Sequence, residues 1–116
     1  MRYRKQRDAE LAQLAQLAEI IKNADEPFTV DQVRQVIRLL FKDRLNYINH
    51  TCNSLHLKSA MEIVSFRAIG KHKYCASDTL REAFRLENFK VHNLGHKDHY
   101  NISYNDVKSI HRRFYY

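Results

Sequence analysis

Only two glycines and one proline interrupt 116 residues, and that scarcity limits the fold more than any motif does. A sandwich or barrel of many short strands needs a turn every few residues, and turns draw on glycine and proline. The same scarcity excludes a glycine- or proline-rich disordered chain. What remains is a chain of long elements. Apolar residues spaced at i, i+3, i+4 and i+7 make most of these helices.

Five such segments can be read. Leu11, Leu14, Leu17 or Ala18, and Ile21 form one stripe in a run of strong helix formers. That helix is expected to close at Asp25-Glu26-Pro27, because proline disfavours helical geometry in the residue before it. Thr29-Val30-Asp31-Gln32 has capping-box form and opens a second helix with Val33, Val36, Ile37 and Leu40 inward. Its pattern continues through Arg44 or Leu45 to Ile48, and residues 49–54 read as a polar connection. Ser59-Ala60-Met61-Glu62 repeats the capping box for a third helix, which has room to begin near Leu55. Its apolar positions are Ile63, Val64, Phe66 and Ile69, and Gly70 suits the left-handed site past its end. Ser77 or Asp78 caps a fourth helix with Leu80, Ala83, Phe84 and Leu86, ending near Asn88. Around Gly95-His96-Lys97-Asp98 the residues Phe89, Val91, Tyr100 and Ile102 alternate with polar neighbours, as a small hairpin or an irregular connection would. Ser103 caps the last helix, with Val107, Ile110 and Phe114 inward.

The fold class expected from this reading is all-α or mainly α. It is a bundle of about five helices in a single domain over residues 1–116, with a short basic N-terminal arm and room for a β-hairpin before the last helix. A hydrophobic content of 44% is enough for one modest core. Two cysteines cannot build a disulfide framework, and no apolar leader opens the chain, so an intracellular, reducing, cytoplasmic setting is expected. No apolar run approaches the ~18 residues of a membrane span, so no membrane partner is expected.

The second and last helices align without gaps. Residues 29–38 lie over residues 103–112, sharing a hydroxyl cap, then Val, a base, one residue, Val or Ile, one residue and Arg. The cap and aliphatics are ordinary helix grammar. The base four residues before Arg is less ordinary, and gives each helix a cationic pair away from its core stripe. The form is similar to the short helix-turn-helix units of phage regulators and of segments beside homing endonucleases. That resemblance covers about a tenth of the chain at each copy, too little to assign a family.

Signals for catalysis and metal binding are weak. His72-x2-Cys75 and His92-x3-His96 offer four nitrogen and sulfur ligands, and Cys52-x3-His56 a further pair, yet none has the paired cysteines common in zinc sites. No metal or cofactor is expected. Small helical ribonucleases of the HEPN type carry Arg, four to six residues, then His. Arg44 to His50, Arg67 to His72 and Arg85 to His92 all fit that spacing. Eleven arginines and seven histidines give about two such matches by chance, so three are no signal. Arg44 and His50 would be the pair to test. Two glycines cannot form a phosphate-binding loop of the usual kind. The two cysteines read as small packing residues. The chain is expected not to be an enzyme.

Twenty basic against thirteen acidic side chains leave a formal charge of +7. Basic groups neutralise phosphate, and neighbouring rings, Tyr3, Tyr74, Tyr100, Tyr104, Tyr115 and Tyr116, can stack on unpaired bases. The expected function is therefore a small, basic, non-enzymatic DNA- or RNA-binding regulator of the kind phages and mobile elements encode. Its expected contacts are Arg2, Arg4, Lys5 and Arg7 in the arm, Arg34 and Arg38 in the second helix, Lys71 and Lys73 in the loop after Gly70, and Asn105, Lys108, Arg112 and Arg113 in the last helix. The competing class is a protein-binding module: an inhibitor or adaptor that docks on a host enzyme or nucleoprotein complex.

Overall fold

The computed structural model describes residues 2–41, 44–94 and 97–114, and the side chains of all of these except 2–7 and Leu94. The chain runs α1 (Arg2–Ile21), α2 (Val30–Leu40), β1 (Arg44–Asn53), α3 (Ser54–Ile69), α4 (Ser77–Leu86), β2 (Val91–Leu94), β3 (Lys97–Ile102) and α5 (Tyr104–Phe114). The expected all-α class is thus corrected. Over the described residues the fold is mixed, with five helices and a three-stranded antiparallel sheet ordered β1-β3-β2. No described helix is long and apolar enough to cross a membrane.

The largest departure lies at β1. The helical period of α2 does not continue to Ile48: the helix stops at Leu40, and Phe41 turns extended with its ring buried. Tyr47, Ile48 and Thr51 favour strands, and the three asparagines between Arg44 and Asn53 are poor helix formers. Pairing with β3 decides the outcome. Arg44 lies opposite Ile102, Asn49 opposite Tyr100 and Asn53 opposite His99, with a register shift between each successive pair. Such bulges leave backbone groups out of the ladder. Two amides compensate: Asn49 Nδ2 donates to the Ile102 carbonyl (3.1 Å), and Asn101 Nδ2 to that of Leu45 (3.0 Å). The β2–β3 hairpin is regular, from Val91 opposite Tyr100 to Leu94 opposite Lys97.

Helix ends follow local chemistry. Thr29 accepts from the Gln32 N–H and donates its own N–H to the Gln32 side chain. The Gln32 amide reaches on to the carbonyls of Ile20 and Ile21, so one residue closes both the start of α2 and the end of α1. That places the end of α1 four residues before Asp25. α3 begins at Ser54, because Asn53 accepts from the N–H groups of Leu55 (3.0 Å) and His56 (3.3 Å); Ser59 and Glu62 lie inside the helix. Gly70 takes the left-handed geometry at its end, φ 77°. Ala76, not Ser77 or Asp78, occupies the cap position of α4, without a side-chain bond. Ser103 Oγ accepts from the Asn105 N–H at the start of α5.

The core joins helices to sheet. Phe84 of α4 sits 5.4 Å from Phe41, 5.1 Å from Phe89 and 5.0 Å from Tyr100 of β3, ring centre to ring centre. Val33, Val36 and Ile37 of α2 and Val107, Ile110 and Phe114 of α5 are buried as their spacing predicts. In α3 the buried positions are Ser54, Leu57, Ala60, Met61, Val64 and Ser65, and Phe66 faces out.

Candidate functional site

The two matching helices use their cationic pairs differently. In α2, Arg34 Nε donates to Glu87 Oε2 (2.9 Å) and Arg38 Nε to Glu87 Oε1 (2.7 Å), with a further bond from Arg38 Nη2 (3.1 Å). Glu87 is 10% exposed at the end of α4, and its own carbonyl takes a bond from Arg44. The Glu87 carboxyl is held below the usual carboxylate range. The Arg38 hydrogen bond is the largest cause, burial opposes it, and Arg34 adds to it. This pair therefore clamps α2 to α4.

The loop after Gly70 also divides. Lys71 is exposed, but Lys73 is 1% exposed, its ammonium donating to the Asn23 carbonyl with the Phe28 ring 5.7 Å away. Burial lowers the Lys73 pKa. Its backbone N–H donates to Ser65 Oγ (2.7 Å), which itself donates to the Lys71 carbonyl. Lys73 thus holds the loop in place from inside.

The α5 pair is open. Lys108 and Arg112 are exposed, and among the described residues no ion pair engages either. Lys108 Nζ stands 5.1 Å from the centre of the Tyr104 ring, a cation–π arrangement that leaves the ammonium in solvent. Beside them a groove of about 360 Å³ runs between α5 and the start of α3, lined by His56, Tyr104, Val107, Lys108, His111 and Arg112. No carboxylate is among these residues. The cap of α3 sets His56, whose Nδ1 accepts from the Asn53 N–H (3.5 Å) and whose ring meets Tyr104 edge-on at 6.1 Å. His111 Nδ1 lies 3.0 Å from the Val107 carbonyl oxygen, so that nitrogen carries a proton. Asn105 is exposed at the start of the same helix. Arg113 is half-buried and bonds Gln13, which ties the end of α5 to α1.

Arg2, Arg4, Lys5 and Arg7 lie on the first two turns of α1, and their side chains are outside those described. Tyr115, Tyr116 and His96 also fall outside the described residues. No protein-family model, no curated protein and no solved structure matches the chain. The site must therefore be read from its own geometry.

Other chemistries find little to work with. Among the described residues no group of three or more His, Cys, Asp or Glu side chains is placed to hold a metal. Cys75 is buried, and burial pushes its thiol up to about 12, which disfavours a thiolate nucleophile. Arg44 packs its guanidinium 4.5 Å from the centre of the Phe89 ring, while His50, six residues along β1, meets His99 edge-on at 5.4 Å. Sequence reading missed His56, Tyr104 and His111 as one group. The signals were present: Asn53-x2-His56 has cap spacing, and Tyr104 and Lys108 stand at i and i+4.

Proposed function

We propose that the protein binds nucleic acid without catalysing a reaction on it, anchoring phosphates on the open face of α5. What carries the reading is the contrast between two matching helices. Arg34 and Arg38 are clamped by Glu87, whereas Lys108 and Arg112 stand in solvent beside a groove free of carboxylates. A solvated cationic pair breaks no ion pair when it turns to a phosphate, and a chain of charge +7 is drawn to a polyanion at long range. His56 and His111 add donors at the groove, and Asn105 adds an amide of the type that reads base edges. Lys71 extends the cationic surface. Arg34, Arg38 and Lys73 are assigned to holding the fold. An intracellular, reducing setting belongs to the same reading, because both cysteines are buried free thiols.

The test is fluorescence anisotropy of a labelled 20-base-pair duplex across a salt series, with the parent and the Lys108→Ala/Arg112→Ala variant. Two lost phosphate contacts should flatten the log–log salt slope by about 1.8 on duplex DNA. Equal affinity and slope in both proteins would remove α5 from the interface. The adaptor reading has one observation of its own: a groove of about 430 Å³ between α1 and α2 in which Ile20 and Leu39 are bordered by Gln16, Glu19, Gln35 and Arg38. Capture of one protein partner after nuclease treatment, with no nucleic-acid binding, would favour it.

A further inference from the structure

The groove at Lys108 is one end of a longer seam. His56 of α3 faces Tyr104 and Lys108 of α5, while Ile63 and Phe66 face Phe114. The two helices therefore run side by side in the same direction. From His56 to Phe66, and from Tyr104 to Phe114, is ten residues, or ~15 Å of helix. The far end of the seam is a second hollow of about 370 Å³, lined by Ile63, Phe66, His72 and Phe114.

That second hollow carries a flat aromatic shelf. Phe66 is 52% exposed, and the exposed His72 ring lies parallel to it, 4.8 Å between centres and 18° between planes. The pair is held from both sides. Gly70 turns the chain back in left-handed geometry, and buried Ser65 bonds the Lys71 carbonyl and the Lys73 N–H, the residues either side of His72. Buried Lys73 fixes the loop again through Asn23. Exposed Arg67 and Lys71 are the sequence neighbours of Phe66 and His72, and no acid occurs between Ile63 and Ser77. A large exposed ring, fixed by buried polar bonds and with cations next to it in the chain, is what an unpaired base stacks on.

We propose that the α3–α5 seam is a track for single-stranded nucleic acid. Phosphates meet Lys108 and Arg112 along α5, and an unpaired base stacks on the Phe66–His72 shelf beside Phe114. Along α5, Lys108 and Arg112 lie six and two residues before Phe114, or ~9 and ~3 Å, well inside the length of the roughly 4–16 nucleotides that single-strand grooves occupy. The proposal rests on the nucleic-acid reading above and narrows it to unpaired strands. A duplex, whose bases are already stacked on one another, offers phosphates to Lys108 and Arg112 but nothing to Phe66.

The chain contains no tryptophan, so Phe66→Trp places a single reporter on the shelf. Labelled dT20, rU20 and a 20-base-pair duplex are titrated against the parent, Phe66→Ala, Phe66→Trp and Lys108→Ala/Arg112→Ala, with circular dichroism confirming the fold of each. Phe66→Ala should lose about 5- to 150-fold affinity for the single strands, at unchanged salt slope and with less than about a twofold change on duplex. Phe66→Trp should keep single-strand affinity, and its emission should be quenched on binding. The phosphate variant should weaken both forms and flatten the salt slope. If dT20 and rU20 bind unequally, dU20, which has the base of rU20 and the sugar of dT20, separates the 2′-hydroxyl from the C5 methyl, and equal binding means the shared pyrimidine ring and phosphate suffice. Parent-like single-strand affinity in Phe66→Ala, or an equal loss on duplex, overturns the track and leaves the phosphate face standing. No binding of any strand by the parent overturns both. His72→Ala serves as a second truncation if Phe66→Ala does not fold.

Discussion

Glu87→Gln removes one negative charge and little volume, and it tests the clamp that separates α2 from α5. Glu87 accepts three charge-assisted bonds, at 2.7, 2.9 and 3.1 Å. Bonds to charged groups are worth ~1.5–3 kcal/mol net when shielded. Arg34, 30% exposed against a carboxylate 10% exposed, comes nearest that range, while Arg38 at 57% is screened and adds little. With that discount the expected cost is about 1–2 kcal/mol at pH 7. In urea, an uncharged denaturant that leaves ion pairs unscreened, it corresponds to a midpoint lower by roughly 0.5–1.5 M. The pH dependence follows from the direction of the Glu87 shift. Its folded pKa is depressed, so the stability it supplies is complete above the unfolded value of ~4.3 and is lost as pH falls through the folded one. The gap between parent and variant should be constant from pH 7 to about 5 and then shrink with acidification. Equal midpoints at pH 7, or a gap that stays the same in acid, would refute the clamp.

Phe84→Ala should cost about 3–5 kcal/mol, because it empties the point where α4, Phe41, Phe89 and β3 meet. Helix ellipticity and tyrosine emission should be lost together, and separate transitions would show that helices and sheet do not share one core. Lys73→Met should change stability by less than about 1.5 kcal/mol and leave nucleic-acid affinity at the parent value, since it removes a buried, unscreened charge and keeps the apolar stem. The parent should gain stability as pH rises between the lowered folded pKa of Lys73 and its ordinary ~10.4, and the variant should lack that gain. A large loss of binding in Lys73→Met would return this residue to the interface.

The buried faces of α2 and α5 are legible in the sequence because each keeps a strict helical period with a capping residue before it. That of α4 is legible from the period of Leu80, Ala83 and Phe84 alone, since it has no side-chain cap and Leu86 is exposed. β1 is not legible. Two register shifts break the alternation of period two that marks a strand, and its cross-links are made by Asn49, in a stretch that reads as a connection, and Asn101, a polar position of the segment that reads as hairpin or irregular connection. The cationic residues look alike in the sequence, yet Arg34 and Arg38 are tied up by an acid 53 and 49 positions away, and Lys73 is enclosed by packing. Phe66 shows the reverse error. Its apolar character and helical spacing place it with Ile63, Val64 and Ile69 in the core, but the buried stripe of α3 passes through Leu57, Ala60, Met61 and Val64.

Asn53 is at once the last residue of β1 and the cap of α3, so strand and helix are joined with no slack. One added residue within β1 meets pairing that already slips twice, and another bulge can take it up. One added residue between Asn53 and Ser54 cannot be hidden that way. Either the cap is lost, or every side chain of α3 advances by ~100° around the helix axis. His56 and Phe66 would then leave the seam together, while Lys108 and Arg112 stayed where they are. The joint works as a phasing device: chain length upstream of it can drift, but across it the count of residues sets the angle at which one wall of the seam meets the other.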